Sequence, residues 1–145
     1  MNRSVYFLVF CMIGCDSVRT VVPDPSIELQ IERVADGTQK GILLYECKNT
    51  DAILKTISQR APLVESICLS FTDVTFDGLS TISKLEKLQV LDLDSQLGLE
   101  QNGIEEIAKS RSISRVLYWG SDDLIRTRLS ELGLLADECR SASKK

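Results

Sequence analysis

The sequence predicts an α/β protein built as a short solenoid of about four strand-helix repeats, with a parallel sheet on the concave face and both ends capped. Two interleaved periodicities carry this expectation. Apolar pairs three residues apart recur at Leu54/Ile57, Leu79/Ile82, Ile104/Ile107 and Leu129/Leu132, each pair 25 residues after the last. Pairs two apart run Ile42/Leu44, Ile67/Leu69, Leu91/Leu93 and Val116/Tyr118, at steps of 25, 24 and 25. A spacing of two buries one face of a strand, and a spacing of three buries one stripe of a helix. Units of this size cannot bury their apolar faces alone, so repetition in step implies stacking into one continuous core.

The chain opens with Arg3 followed by nine apolar residues, Val5 to Ile13. A helix crossing a bilayer needs about 20, so this stretch is too short to span. A cation, a short apolar run and a small residue in that order form the pattern of a secretory signal. The segment Met12-Ile13-Gly14-Cys15 resembles the bacterial lipobox, although Met12 stands where Leu is usual. The resemblance implies removal of residues 1–14, lipidation of Cys15, and export to a bacterial membrane held by acyl chains. Each buried CH₂ contributes about 0.8 kcal/mol, so two or three chains together anchor firmly. Asp16 resembles the signal that keeps some lipoproteins in the inner membrane, which would leave the domain facing the periplasm. The other reading of residues 1–15 is a buried N-terminal strand or helix with Cys15 in the core. Asp16 to Thr20 are mostly polar and Pro23-Asp24-Pro25 reads as extended chain, which favours a lipidated tether over residues 15–25.

Residues 26–140 are expected to form the repeat domain. Ser26 to Val34 alternate apolar and polar for most of their length and Asp36-Gly37 is a turn signal. This predicts an extra strand closing an N-terminal edge that would otherwise expose unpaired backbone. Val64-x-x-Ile67-x-Leu69, Leu88-x-x-Leu91-x-Leu93 and, more loosely, Ile113-x-x-Val116-x-Tyr118 follow a shared strand pattern. Thr72-Asp73-Val74-Thr75-Phe76-Asp77-Gly78-Leu79 resembles a T-x-I-T-D-x-G-L turn. These segments resemble leucine-rich repeats of the cysteine-containing type over about residues 39–135. The resemblance implies that Cys47 and Thr72 satisfy backbone groups of their loops, and that the first and last units are degenerate caps. Asp122-Asp123 suits a helix start, and the helix carrying Leu129, Leu132, Leu134 and Leu135 is expected to cover the second end. Residues 141–145 read as a frayed tail.

In such a solenoid the residues alternating with the buried pairs face the open side of the sheet. The candidate binding face is Leu43, Tyr45, Cys68, Asp92, Asp94, Arg115, Leu117 and Trp119, interspersed with Gly41, Ser66, Ser70 and Val90. Trp, Tyr and Arg are enriched at binding hot spots, so the set suits recognition. Equally, a small sheet scatters such residues by chance, and Trp119 suits a capping role in the last strand. Asp92 and Asp94 would lie about 7 Å apart on one face, two strand rises. With no third oxygen ligand fixed by spacing, a solvated acidic surface is preferred over calcium or acid–base chemistry.

Composition removes several functions. The net charge is −4, and the only basic run is Lys144-Lys145, so the electrostatic footprint of a nucleic-acid binder is missing. There is no histidine, which excludes histidine-based triads and histidine-containing metal sites. Of five cysteines, Cys11 would leave with the expected signal and Cys15 would be lipidated; Cys47, Cys68 and Cys139 would remain, without C-x-x-C spacing. Cys47 and Cys68 lie out of register for a disulfide and are expected as small apolar side chains. No serine has a base, and no phosphate loop occurs. The expectation is a membrane-tethered module of the bacterial envelope that binds a protein or peptide, with no catalysis, cofactor or metal. Alternatives are a structural or vestigial repeat domain without a partner and, more remotely, an envelope enzyme using Asp92 and Asp94.

Overall fold

The computed structural model describes residues 26–94 and 99–136. Cys15 with the expected signal and tether, Cys139 and residues 141–145 lie outside the described residues. In chain order the elements are α1 (Ile27–Ala35), β1 (Gly41–Tyr45), α2 (Thr50–Arg60), β2 (Ser66–Ser70), α3 (Phe76–Ile82), β3 (Val90–Asp94), α4 (Gln101–Ala108), β4 (Arg115–Tyr118) and α5 (Asp123–Glu131). The four strands form one parallel sheet in the order β1-β2-β3-β4, alternating with helices. The fold class is therefore α/β, and the sheet is open.

Apolar residues two apart in sequence become straight rows across the sheet. Ile42, Ile67, Leu91 and Val116 stand in one register row, and Leu44, Leu69, Leu93 and Tyr118 in the next. All eight are buried. Leu54 and Ile57 of α2, Leu79 and Ile82 of α3, and Ile104 and Ile107 of α4 join them in one core. Each helix thus lays its apolar stripe on the same face of the sheet, which leaves the opposite face only half covered.

The turns between strand and helix also repeat. Glu46 and Phe71, one residue past β1 and β2, are both left-handed, with φ of 48° and 52°. The helix starts are then capped by neighbouring units. The Asp73 carboxylate accepts from the backbone N–H groups of Asn49 and Thr50 at 3.0 and 2.9 Å and from the Thr50 hydroxyl. The Asp51 carboxylate accepts in turn from the Thr75 N–H at 3.0 Å and from the Thr75 hydroxyl. The N-cap residue of α2, Asn49, makes no side-chain cap of its own, so Asp73 supplies it from the next unit. The hydrogen bond from the Thr50 side chain, with backbone N–H donors, holds the Asp73 carboxyl below its ordinary range. Asp73→Ala is expected to cost about 1 kcal/mol, as loss of a helix cap does. This is measurable by urea denaturation at pH 7. The cost should shrink as pH falls through the carboxylate range, because protonation removes the same cap.

Both ends of the sheet close differently from the expectation. Residues 27–35 are the helix α1, and the predicted edge strand is corrected to a helix. Ser26 caps it by accepting from the Leu29 N–H at 3.3 Å. Gln30, Ile31 and Val34 are its buried residues, a helical stripe, whereas alternation would have put Gln30 in water. The edge of β1 is nonetheless satisfied at Leu43. The Gln30 side-chain amide donates to the Leu43 carbonyl at 3.1 Å and accepts from the Leu43 N–H at 2.7 Å, so one side chain replaces a strand's peptide.

At the other end, α5 stops at Glu131. Leu134 and Leu135 lie beyond it, past Gly133 at φ +71°, which corrects their assignment to the helix. Val116 N–H donates to Leu134 O at 2.7 Å and Ala136 N–H to Val116 O at 3.0 Å, pairing the β4 edge with extended chain. The Asp122 side chain caps α5 by accepting from Leu124 and Ile125, as expected of a helix start.

Candidate functional site

Alternation along each strand sends a second set of side chains to the face away from the helices. Parallel register then lines them up. One row reads Gly41, Ser66, Val90, Arg115; the next Leu43, Cys68, Asp92, Leu117; and the third Tyr45, Ser70, Asp94. Trp119 follows β4 by one residue, with its N–H donating to the Leu93 carbonyl at 3.3 Å, so it flanks the third row. Seven of the eight predicted face residues therefore share this face on β1 to β4, and Trp119 sits at its margin.

The face is mixed in character. Leu43, Tyr45, Cys68, Asp92, Asp94 and Leu117 are half-buried, Arg115 is exposed and Ser70 is buried. Trp119 is 48% exposed, so the chain's only tryptophan is no buried cap. The Tyr45 ring meets Phe71 edge-on, with centroids 5.7 Å apart and planes at 75°. The Ser70 hydroxyl donates to Asp94 at 2.9 Å. Cys47 and Cys68 are reduced thiols, and the Cys47 thiol donates to Tyr45 O at 3.4 Å.

Asp92 departs from the solvated carboxylate that the sequence suggests. Its Oδ1 is enclosed without a hydrogen-bond partner. Burial is the largest influence and pushes its pKa up to about 6; nearby Asp94 raises it further, while hydrogen bonds from Cys68 and Trp119 oppose the shift. Alternation fixes which face a residue points to, but its depth depends on what the adjoining strands bring alongside. Here the Cys68 thiol and the Trp119 indole donate to it, and their hydrogen bonds only partly offset the desolvation.

This carries a pH prediction. The native pKa of about 6 lies above the ordinary 3.8, so the native state holds the proton more tightly. The contribution is complete below about pH 4 and is lost as pH rises through 6. After discounting for the exposed part of the side chain, the loss between pH 5 and pH 8 is about 1 kcal/mol or less. Asp92→Asn should flatten this part of the stability profile and match or exceed the native chain at pH 8. Parallel profiles for the two proteins in urea titrations would contradict it.

Sequence reasoning missed Phe71 and Phe76. They are 52% and 45% exposed and line a cleft of about 580 Å³ with Lys48, Asp73, Leu79 and Leu99, beside the sheet's C-terminal edge. One unit earlier the corresponding residues are Glu46 and Asp51. An aromatic residue replacing an acid in a solvent-facing turn is the signal that could have found them. Among the described residues no helix is long and apolar enough to cross a membrane, and no three His, Cys, Asp or Glu side chains gather as a metal set. No family model matches the chain, and no curated protein aligns with it significantly.

Proposed function

We propose that the protein is a short leucine-rich-repeat solenoid tethered by a lipid on Cys15 to a bacterial membrane, where its open sheet face binds another protein or a peptide without catalysis. The observation that carries this reading is the face itself. Two leucines, an exposed tryptophan, a tyrosine, an arginine and two carboxylates share a half-covered parallel sheet whose other side is fully packed. Apolar, aromatic and charged side chains together on one half-buried face suit a protein partner. The repeat reading is supported by register steps of 25, 24 and 25, by left-handed turns recurring at Glu46 and Phe71, and by caps that bridge units. The tether rests on the lipobox-like Met12 to Cys15.

A photoreactive residue at Leu43 or Leu117 should crosslink to an envelope protein, while one at Ala52 or Thr127, exposed on α2 and α5, should not. Equal crosslinking from both faces would overturn the binding-face reading. Metabolic labelling with a fatty-acid analogue should mark the protein and disappear in Cys15→Ala; an unlabelled native protein would overturn the tether.

A raised carboxyl pKa also suits acid–base chemistry, and it favours the remote reading of Asp92 and Asp94 as an enzyme site. Enclosure of the Asp92 Oδ1 weighs against it, because a general acid has to reach its substrate.

A further inference from the structure

We infer that the edge of the sheet where the strands begin docks on an anionic phospholipid surface, with Leu63 entering the interface among lysines. This rests on the tether reading and adds the orientation of the domain on its membrane. Because the strands are parallel, the helix-to-strand connections gather at one edge and the strand-to-helix turns at the other. Successive connections touch. Glu65 N–H donates to the Lys40 carbonyl at 2.8 Å, Gln89 N–H to that of Glu65 at 2.8 Å, and Ser114 N–H to that of Gln89 at 3.0 Å. Residues 83–89 and 109–114 carry Lys84, Lys87, Lys109 and Arg111, all exposed, against the single carboxylate of Glu86. The opposite edge carries Glu46, Asp73, Asp77, Glu100, Asp122 and Asp123 against Lys48 and Arg126. Helix macrodipoles favour this polarity, but they leave the cations exposed. Among the described residues, Lys84, Lys87 and Arg111 form no ion pair, whereas Lys40 is paired with Glu65 and Lys109 with Glu106. Lys84 reaches Glu106 only through longer-range attraction.

Two further observations select a lipid surface. Leu63, 63% exposed, stands at this edge in a groove of about 780 Å³ lined also by Pro62, Lys55, Lys84 and Lys87. An apolar side chain ringed by lysines suits a headgroup layer, where the leucine leaves water and the long lysine side chains meet phosphates. The chain also enters the fold here. Glu28, in the first turn of α1, accepts from the Arg60 guanidinium at 2.6 Å, and Arg60 ends α2 just before Leu63. Residues 15–25, even fully extended, span only about 40 Å. A lipid on Cys15 thus keeps this edge close to the bilayer, where each cation near the surface adds attraction. The acidic edge, with Phe71, Phe76 and Leu124 exposed, is repelled by the same lipids and faces away.

The test places a polarity-sensitive fluorescent residue in the full chain, in place of Leu63 or, separately, of Leu124. Each chain is added to phosphatidylcholine vesicles containing roughly one-third phosphatidylglycerol. The label at 63 should shift to the blue and be quenched by lipids brominated on their acyl chains, and the label at 124 should do neither. Pure phosphatidylcholine vesicles, or about 0.5 M salt, should remove most of the response at 63. K84Q/K87Q/R111Q should raise the lipid concentration needed for that response about ten-fold or more; the comparison of lipids holds even if this variant folds poorly. A response at 124 equal to that at 63, or a response at 63 that is the same on both lipids, would overturn the inference. So would a label at 63 that stays in water while the chain floats with the vesicles, an outcome that leaves the tether intact. The tether reading fails by a different sign, the missing fatty-acid label on the native chain, which the fluorescence does not read.

Discussion

Leu91→Ala is expected to cost about 3–5 kcal/mol, the largest effect of any single substitution considered, because the leucine is stacked from both sides. Leu91 lies in β3 between Ile67 and Val116 in register and is 0% exposed. Truncation removes buried area and leaves a cavity walled by rows that continue across the sheet and cannot collapse locally. The loss is a large share of the roughly 5–15 kcal/mol that holds a domain of this size together. Val90→Ala, one residue earlier on the half-covered face, should cost less than about 1 kcal/mol. Urea denaturation of the two variants measures both. Similar costs at positions 90 and 91 would mean that the strand has no single buried face.

Gln30→Leu is expected to cost about 2–4 kcal/mol although the two side chains are similar in size. Gln30 is 3% exposed and both of its amide functions are committed to the Leu43 peptide. Leucine fills the same space and leaves one backbone N–H and one C=O of an edge strand without partners, each under a helix that keeps water away. The Leu43 amide should at the same time exchange its hydrogen much faster. A neutral effect on stability with unchanged exchange would show that water replaces the glutamine without cost.

Much of this architecture is legible in the sequence, because strands and helices recur in step and each unit corroborates the others. Ile67/Leu69 and Leu91/Leu93 fix the buried face of their strands, and Leu79/Ile82 and Ile104/Ile107 fix the helix stripes. The ends are less legible because they lack a repeat to compare with. Ile27, Leu29 and Ile31 satisfy a period of two just as Ile27, Ile31 and Val34 satisfy a helix. Only the Ser26 cap and the partnership between Gln30 and Leu43, thirteen residues away, decide between them. The end of α5 was readable from Gly133 after Leu132, since a left-handed glycine commonly ends a helix. For the site, alternation names the face residues. The burial of Asp92 and its hydrogen bonds from Cys68 on β2 and from Trp119 after β4 are long-range facts that spacing does not contain.

The most direct measurement on the sheet face takes one variant, Leu43→Ser/Leu117→Ser, and asks for stability and binding together, with the photoreactive residue placed at Ser66 on the same face. Both leucines are half-buried on the open side, so the folded state should lose only about 1–2 kcal/mol, well short of the Leu91→Ala cost. The crosslink from position 66 should disappear. If that crosslink persists, or if the variant unfolds as readily as Leu91→Ala, the open face serves the fold rather than a partner.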